Sequence, residues 1–311
     1  MSFFSLSFLL LAMAGAPSWE RATPSAPASP HGSRSVSPLP AIPLLDSERL
    51  KLGESLFKDP RLSSHGKVGC QSCHDVDANG ASSKAHDRGD DNSLSPLNTP
   101  TVFNAALNFR LGWEGHIRTM PEMVQESMHN VHIMGGSAPG LDRLNRDPTV
   151  ARIALHIYHR PLDEGAAADA IATYLRSRLT PGARFDAWMT GDVHALSLRE
   201  QRGWMRFQEV GCSSCHQGVN IGGNLFQRHG IFHPLAASFP VILRVPSLRN
   251  IATTAPYFHD GSAATLTDAV VSMGRAQLDL NLSATDVRDI IAFLNTLTGT
   301  TEGRPIQGKP R

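Results

Sequence analysis

A seven-residue pattern, Val-Gly-Cys-x-Ser-Cys-His, occurs twice in the chain and accounts for all four of its cysteines. The first copy runs from Val68 to His74 and the second from Val210 to His216. Each copy contains Cys-x-x-Cys-His, the attachment signal of a c-type haem. Two thiols three positions apart can each form a thioether to one vinyl group of the same porphyrin, and the adjacent histidine then lies beneath the iron. The duplication predicts two covalently bound haem c groups.

The motif predicts which residues attach each haem and which histidine is the first iron ligand. These are Cys70, Cys73 and His74 in the first copy, and Cys212, Cys215 and His216 in the second. A structural zinc site and a pair of redox disulfides are the alternatives. Zinc does not require a histidine after both second cysteines, and the chain has no other thioredoxin-like signal, so haem is favoured.

The amino-terminal residues are typical of an export signal. An apolar run over residues 3–13 is too short to span a bilayer, and small residues lie at Ala12, Ala14 and Ala16. We expect a signal peptide over residues 1–16, although it lacks a basic n-region, and an uncleaved anchor is the alternative. Because thioether attachment follows export, the predicted compartment is the bacterial periplasm.

Length and charge are typical of a two-domain exported protein. The chain has 311 residues, 41% hydrophobic content and a formal net charge of +1, so it has no basic stripe for nucleic acid. Residues 17–43 are rich in Pro, Ser and Ala, and we expect a flexible leader there. An N-terminal cytochrome c domain is expected over residues 44–190, a C-terminal one over 191–300, and a tail over 301–311.

The two halves begin alike, with a helix that leads into the haem motif. Asp46 can cap the first helix, and Ser197 with Glu200 forms a capping box for the second. Both helices contain Gly-x-x-x-Phe, at Gly53–Phe57 and Gly203–Phe207, which indicates an internal repeat. The expected fold is mainly α, with two cytochrome c-like domains that each carry one haem. Further helical patterns lie at Leu141–Ile157, Gly165–Leu179, Leu266–Met273 and Ser283–Leu297, and a short strand is indicated near Val241–Val245.

The second axial ligand decides what each haem can do. A methionine opposite histidine raises the reduction potential and closes the iron, whereas two histidines or an open position give a low potential or a reactive site. Met273 is the candidate at the second haem, since Met205 and Met189 precede the second motif and are expected to be packing residues. His86, in the polar loop 82–91, is the candidate at the first haem, and a solvent-exposed loop histidine is the alternative.

Four further runs carry a resemblance to a known family. Leu52–Ser63 resembles that family's segment before the first haem, and Asn98–Ala105 resembles the stretch after its distal-histidine loop. Val245–Asn250 and Thr254–Gly261 together resemble its most diagnostic stretch in the second domain. With the two haem motifs, these runs make the chain similar to the bacterial diheme cytochrome c peroxidase family, which includes MauG, from about residue 44 to 299.

The resemblance implies a division of labour between the two haems. The second haem, with His216 and Met273, would accept electrons from a small cytochrome c or a cupredoxin. The first haem, with His74 and a displaceable His86, would bind hydrogen peroxide. Trp113 would carry electrons between them, although a lone tryptophan is by itself a core residue.

The resemblance also implies a calcium ion between the domains. Asn98 by its side chain, and Thr254 and Pro256 by backbone carbonyls, match the positions that hold it, and oxygen donors suit this hard cation. Without the resemblance, the three residues would be ordinary turn formers. Family members are often homodimers, which is an implied expectation here.

The sequence departs from the family pattern around the peroxide site. The family's Trp-Asp-Gly-Arg is Trp-Glu-Gly-His at residues 113–116, and its glutamine and glutamate, ten and twenty residues after the tryptophan, are Met123 and Ile133 here. A positioned acid or base contributes about 10²- to 10⁴-fold to proton transfer, and neither replacement can move a proton. Glu126, His129 and His132 are the nearby polar groups. His132 is the preferred substitute and Glu126 the second. Alternatively these are ordinary loop residues, or one histidine replaces His86 on the iron.

Three functions remain open from sequence. The first is reduction of hydrogen peroxide to water with electrons from a small cytochrome c or cupredoxin. The second is electron transfer or redox sensing by two six-coordinate haems. The third is MauG-like oxidation of a protein side chain, against which Met273 weighs, because MauG has a tyrosine at the corresponding position.

Overall fold

The computed structural model describes residues 35–308, and over this range the chain is mainly helical, as predicted. The α-helices in chain order are α1 (Ser47–Lys58), α2 (Met120–His129), α3 (Ala138–Asn145), α4 (Pro148–Tyr158), α5 (Glu164–Arg176), α6 (Arg184–Met189), α7 (Leu198–Glu209), α8 (Leu266–Leu278) and α9 (Ala284–Asn295). Two small antiparallel pairs join β1 (Phe226–Arg228) to β2 (Ile242–Arg244) and β3 (Thr300–Thr301) to β4 (Arg304–Pro305). The predicted strand near Val241–Val245 is β2, whereas β1, β3 and β4 carry no clear sequence signal.

The helices that precede the two haem motifs begin at the predicted caps. The Asp46 carboxylate accepts hydrogen bonds from the backbone N–H groups of Glu48 and Arg49, at 3.0 and 2.9 Å. Ser197 and Glu200 bond reciprocally, since Glu200 N–H donates to Ser197 Oγ at 3.4 Å and Ser197 N–H donates to Glu200 Oε2 at 2.8 Å. These bonds satisfy amide groups that would otherwise lack partners in the first turn.

The helix expected over Leu141–Ile157 is two helices, α3 and α4. They are separated at Asp147, whose carboxylate accepts from Thr149 N–H at 2.9 Å and caps α4. Pro148 causes the break, because it lacks an N–H and disfavours helical geometry in the residue before it. The other helical predictions are confirmed, and they correspond to α5, α8 and α9.

Each half is built on a close crossing of two helices. In the first half α1 packs on α5, and in the second α7 packs on α9. A glycine lies at each crossing: a methyl group added at Gly53 would overlap the Ala170 carbonyl, and one added at Gly203 would overlap the Asp289 carbonyl. The phenylalanine four residues on then meets an aromatic ring of the partner helix in both halves. The Gly-x-x-x-Phe repeat is therefore a repeated packing contact.

Each of the two crossings lies within a hydrophobic cluster. The first cluster is centred on α1, α2 and α5, and the second on α7 and α9. Helix α6 belongs to the second cluster, because Phe185 lies 5.0 Å from both Trp204 and Phe293 by ring centroids. This differs from the expected domain division, which places α6 before a boundary at residues 190 and 191.

The two ends of the described chain pack on opposite halves. Val36 is buried in the second cluster, and Arg249 donates to the Ser37 carbonyl at 2.9 Å. Residues 35–39 are therefore packed, unlike the flexible leader expected over 17–43. Ile306, in the expected tail, is buried in the first cluster. The predicted signal peptide and the rest of the leader before residue 35 lie outside the described residues, as do residues 309–311.

A search of residues 35–308 for a helix long and apolar enough to cross a membrane finds none. The alternative of an uncleaved anchor concerns residues 1–16, which this search does not cover.

We expect Gly203→Ala and Gly53→Ala to lower the midpoint of thermal unfolding. Each added methyl group meets a backbone carbonyl that belongs to a packed helix, and overpacking of this kind costs about 1–3 kcal/mol. The measurement is the thermal midpoint of the holoprotein followed by circular dichroism.

Gly165→Ala is the matched control. It lies in the first turn of α5, and the nearest atom to an added methyl group is Asp163 Oδ1 at 3.6 Å. Alanine is favoured over glycine in a helix by about 0.5–1 kcal/mol, so this variant should match or exceed the wild type. A Gly203→Ala protein as stable as Gly165→Ala would contradict the close crossing.

Candidate functional site

The first Cys-x-x-Cys-His motif follows α1 as a single 3₁₀ turn. Cys70 to Ser72 form this turn, and the His74 N–H donates to the Cys70 carbonyl at 2.9 Å. The His74 Nδ1 lies 3.0 Å from the Pro100 carbonyl oxygen. Because a carbonyl only accepts, Nδ1 carries the proton and Nε2 is left as the lone-pair nitrogen. Burial lowers the pKa of His74, which favours the neutral ring that a metal requires.

The second motif repeats this geometry after α7. A 3₁₀ turn spans Cys212 to Ser214, and the His216 N–H donates to the Cys212 carbonyl at 3.0 Å. His216 is buried, and burial lowers its pKa to about 4. The ring is therefore neutral, as an iron ligand must be. The spacing and the backbone turn are the same in both motifs, but His216 Nδ1 has no hydrogen-bond partner among the described residues, whereas His74 Nδ1 has the Pro100 carbonyl.

The four cysteines are unpaired thiols in the structure. Burial raises the pKa of Cys70 to about 12, and it raises the pKa values of Cys73 and Cys212 to about 11. Within residues 35–308, no group of three or more His, Cys, Asp or Glu side chains comes together to hold a metal ion. The disulfide and four-cysteine zinc alternatives are therefore not the arrangement adopted.

A cavity of about 260 Å³ lies against the second motif. Its wall includes Cys212, Cys215, His216 and, from α8, Met273. The remaining lining is largely apolar, with side chains from Phe207, Leu248, Ile251, Leu266, Ile290 and Leu294. An apolar cavity that is bounded by two thiols, a neutral imidazole and a thioether fits a c-type haem.

The competing methionines do not share this cavity wall. Met205 is 42% exposed on α7, and Met189 packs beside the second hydrophobic cluster. Met273 is thus the candidate distal ligand that the fold brings to the same cavity as His216.

His86 lies half-buried in a loop held by several hydrogen bonds. Its Nδ1 is 2.9 Å from the Ser95 carbonyl, which leaves Nε2 as the lone-pair nitrogen, as in His74. The neighbouring Asp87 accepts from Ser82 Oγ at 2.9 Å and from Thr99 Oγ1 at 2.6 Å. The ring of His86 is therefore in the tautomer that suits an iron ligand.

Asp90, in the same loop, ties it to the segment before the first haem motif. Its carboxylate accepts from Ser63 Oγ at 2.8 Å, from His65 N–H at 2.6 Å and from Lys67 N–H at 3.2 Å. Its own N–H donates to the Ile133 carbonyl at 2.8 Å. The loop that carries His86 is thus fixed to two neighbouring segments.

Trp113 lies between the two halves. Its Nε1 donates to the Asn98 carbonyl at 2.8 Å, and its ring meets His259 edge to face at a centroid distance of 6.2 Å. The Asn98 N–H donates to the His259 carbonyl at 2.7 Å. Asn98, Thr254 and Pro256, the three residues matched to a calcium site, line the same cavity as Trp113.

The residues around the expected peroxide site fall in two places. Met123 packs beside the first cluster, and Ile133 is 37% exposed. Glu126 and His129 border a shallow surface depression, and His129 lies 2.7 Å from the Glu164 carboxylate. His132 is 62% exposed and lies 3.4 Å from the Asp91 carboxylate. Through Asp91, His132 is next to the loop that carries His86.

Arg244 and His229 also line the cavity, and sequence reasoning missed both. Arg244 directly precedes the diagnostic run at residues 245–250, so its position was the available signal. His229 follows the unpredicted strand β1, and no spacing rule points to it.

Comparison with known proteins agrees with these features. A family model described as di-haem cytochrome c peroxidase matches residues 47–194. The chain is 33% identical over 287 residues to a cytochrome c551 peroxidase of Nitrosomonas europaea, covering 85% of this chain and 84% of that protein. It is 34% identical over 285 residues to a cytochrome c551 peroxidase of Pseudomonas aeruginosa, covering 85% and 82%.

A solved structure shares the fold. The crystal structure of a MauG-like protein associated with microbial copper homeostasis matches with a TM-score of 0.74 at 23% identity, covering 91% of this chain and 96% of that one. Sequence similarity over most of both chains, together with two attachment motifs in equivalent turns, establishes the family. The chain belongs to the di-haem cytochrome c peroxidase family, which also includes MauG.

Proposed function

We propose that this protein is a periplasmic diheme c-type cytochrome that reduces hydrogen peroxide to water. It consists of two cytochrome c-like domains, and its electrons come from a small cytochrome c or a cupredoxin. The observation that carries the proposal is the apolar cavity that joins Cys212, Cys215, His216 and Met273. A signal peptide over residues 1–16 directs export.

Bound haem iron supplies one-electron redox chemistry and a binding position for peroxide. Each turnover adds two electrons and two protons to one hydrogen peroxide and releases two waters. The chain tethers the two haems through its four thiols. The hydrogen bond from His74 Nδ1 to the Pro100 carbonyl orients the ring that would hold the first haem. Met273 would hold the second haem and suit it to accept electrons.

The loop with His86 gives the first haem its displaceable ligand. The Nδ1 of His86 is held by the Ser95 carbonyl, and the adjacent Asp87 and Asp90 fix the loop by hydrogen bonds. His86 would hold the first haem from this loop, and its release, with rearrangement of these hydrogen bonds, would supply the open position that peroxide needs. Trp113 relays electrons between the haems, and its hydrogen bond to Asn98 supports that position.

Proton transfer to peroxide needs a substitute for the acid–base positions that Met123 and Ile133 occupy. His132 is the first choice, because its partner Asp91 belongs to the loop that carries His86. Glu126 is the second, and it lies at the mouth of a shallow depression beside His129. A calcium ion held by Asn98, Thr254 and Pro256 accompanies the haems, which their shared cavity supports.

One observation favours a second candidate function. Met123 packs beside the first cluster and, like Ile133, carries no proton donor, so the proposed peroxide site lacks both expected polar groups. With His86 retained on the iron, the protein would transfer electrons or sense redox state with little peroxidase turnover. A MauG-like oxidase is a weaker alternative, since Met273 lines the cavity of the second haem.

We expect the holoprotein to consume hydrogen peroxide with a reduced cytochrome c as donor, well above the rate of free haem. The half-reduced form should show a high-spin first haem by electron paramagnetic resonance, because the loop releases His86. A turnover rate equal to that of free haem, with low-spin signals at every redox level, would establish the electron-transfer alternative instead.

His132→Gln should lower kcat/KM for peroxide by about 10²-fold, because it removes the proposed proton carrier. His156→Gln removes an imidazole that pairs with Glu48 on the surface of α4, so its activity should equal that of the wild type. Steady-state kinetics with both variants make the comparison. Equal kcat/KM values would remove His132 from the mechanism and leave Glu126 as the next residue to replace.

Met273→His should lower the midpoint potential of the second haem, because a thioether opposite histidine favours reduced iron more than a second imidazole does. We expect at least a tenfold drop in the equilibrium constant for one-electron reduction, which is about 59 mV. Met205→His, at an exposed site on α7, is the control and should leave the potential unchanged. An equal potential in Met273→His would show that Met273 is not the ligand.

A further inference from the structure

Arg244 is a buried cation without an acidic partner. It lies on β2, is 6% exposed and faces the cavity of the second motif. No carboxylate within residues 35–308 lies within ion-pair distance of its guanidinium. Burial alone lowers its pKa to about 10, so it still carries its charge at neutral pH. A buried charge that nothing compensates is unfavourable unless a ligand supplies the opposite charge.

Besides Nδ1 of His216 itself, two nitrogen atoms at this cavity lack hydrogen-bond partners within the described part of the chain. One is Nη1 of Arg244, and the other is Nδ1 of His229. The opposite nitrogen of His229, Nε2, lies 2.8 Å from the Pro240 carbonyl and is therefore satisfied. Both side chains line the cavity that also contains His216 and Met273. Two unsatisfied polar groups in one largely apolar cavity indicate a specific polar ligand.

Arg244 also contacts the segment between the two halves. Its N–H donates to the Trp113 carbonyl at 2.8 Å, and its Nε donates to the Gly112 carbonyl at 3.1 Å. These bonds use the backbone amide and Nε of the guanidinium, and they leave Nη1 without a partner. Arg244 therefore links the residues around Trp113 to whatever occupies the cavity.

We propose that Arg244, together with His229, binds a carboxylate of the haem that is tethered at Cys212 and Cys215. This inference rests on the proposed haem attachment. After thioether formation, the two propionate groups are the only carboxylates that a haem brings into the cavity. A forked guanidinium is well suited to an anionic carboxylate, and the interaction is charge-assisted.

The proposed contact makes Arg244 a positioning residue for electron transfer. The same guanidinium holds the haem edge and the Gly112 carbonyl, so the second haem and Trp113 are fixed relative to each other. Its positive charge near the iron also favours the reduced state, which carries one positive charge fewer. Loss of that charge must lower the midpoint potential of this haem.

The test is a redox titration of the holoprotein that carries Arg244→Met. We expect the equilibrium constant for reduction of the higher-potential haem to fall at least tenfold, or about 59 mV. Arg228→Met is the matched control, because it removes the same charge from an exposed position on β1, and it should change the constant less than twofold. Arg244→Lys, which keeps the positive charge, should restore most of the lost midpoint potential.

Haem content by mass and visible absorbance separates the possible failures. Wild-type protein without the second haem would overturn the proposed function and this inference together. Intact haem content with equal potentials in Arg244→Met and Arg228→Met would overturn the role of Arg244 alone. The remaining case is loss of the second haem from both Arg244→Met and Arg244→Gln. In that case, a second haem retained in Arg244→Lys supports the carboxylate contact, and loss of this haem in all three variants overturns it.

Discussion

The close crossing of two helices at a glycine is the constraint on which both haem motifs depend. Gly53 brings α1 against α5, and Gly203 brings α7 against α9, without room for one further carbon atom. The attachment turn at Cys212 comes directly after the end of α7 at Glu209, whereas a loop with its own 3₁₀ turn at Pro60–Leu62 separates α1 from the attachment turn at Cys70. The glycine contact and the backbone turn thus recur in both halves, while the loops and the hydrogen bonding of the two histidines differ.

Polar contacts, rather than a shared hydrophobic core, hold the two halves in position relative to each other. Trp113 bonds to Asn98, Asn98 bonds to His259, and the backbone and side chain of Arg244 bond on either side of the Trp113 peptide. Directional bonds of this kind define distance and orientation more sharply than apolar packing does. The proposed electron relay through Trp113 needs a fixed distance, and a network of polar contacts suits that requirement.

Local signals in the sequence predicted local structure well. The helix caps at Asp46 and Ser197 could be predicted, because a capping bond joins residues only two or three positions apart. Pro148 indicates a helix break, but the apolar periodicity continues through it. The boundary between α3 and α4 was therefore not predicted. The cavity contributions of His229 and Arg244 depend on strands that pair across a long loop, and no local pattern encodes such pairing. The attachment turns and the position of Met273 at the cavity wall were thus predictable, whereas the charge at that wall was not. The role of Met273 as a ligand stays a prediction.

Each terminus of the described chain packs into the half at the other end of the sequence. Val36 fills a position in the core around α7 and α9, whereas Ile306 fills one in the core around α1 and α5. During synthesis, the earlier core is therefore complete only after Ile306 has emerged. Each half produced separately would therefore lack one buried side chain of its core, Ile306 in the first half and Val36 in the second.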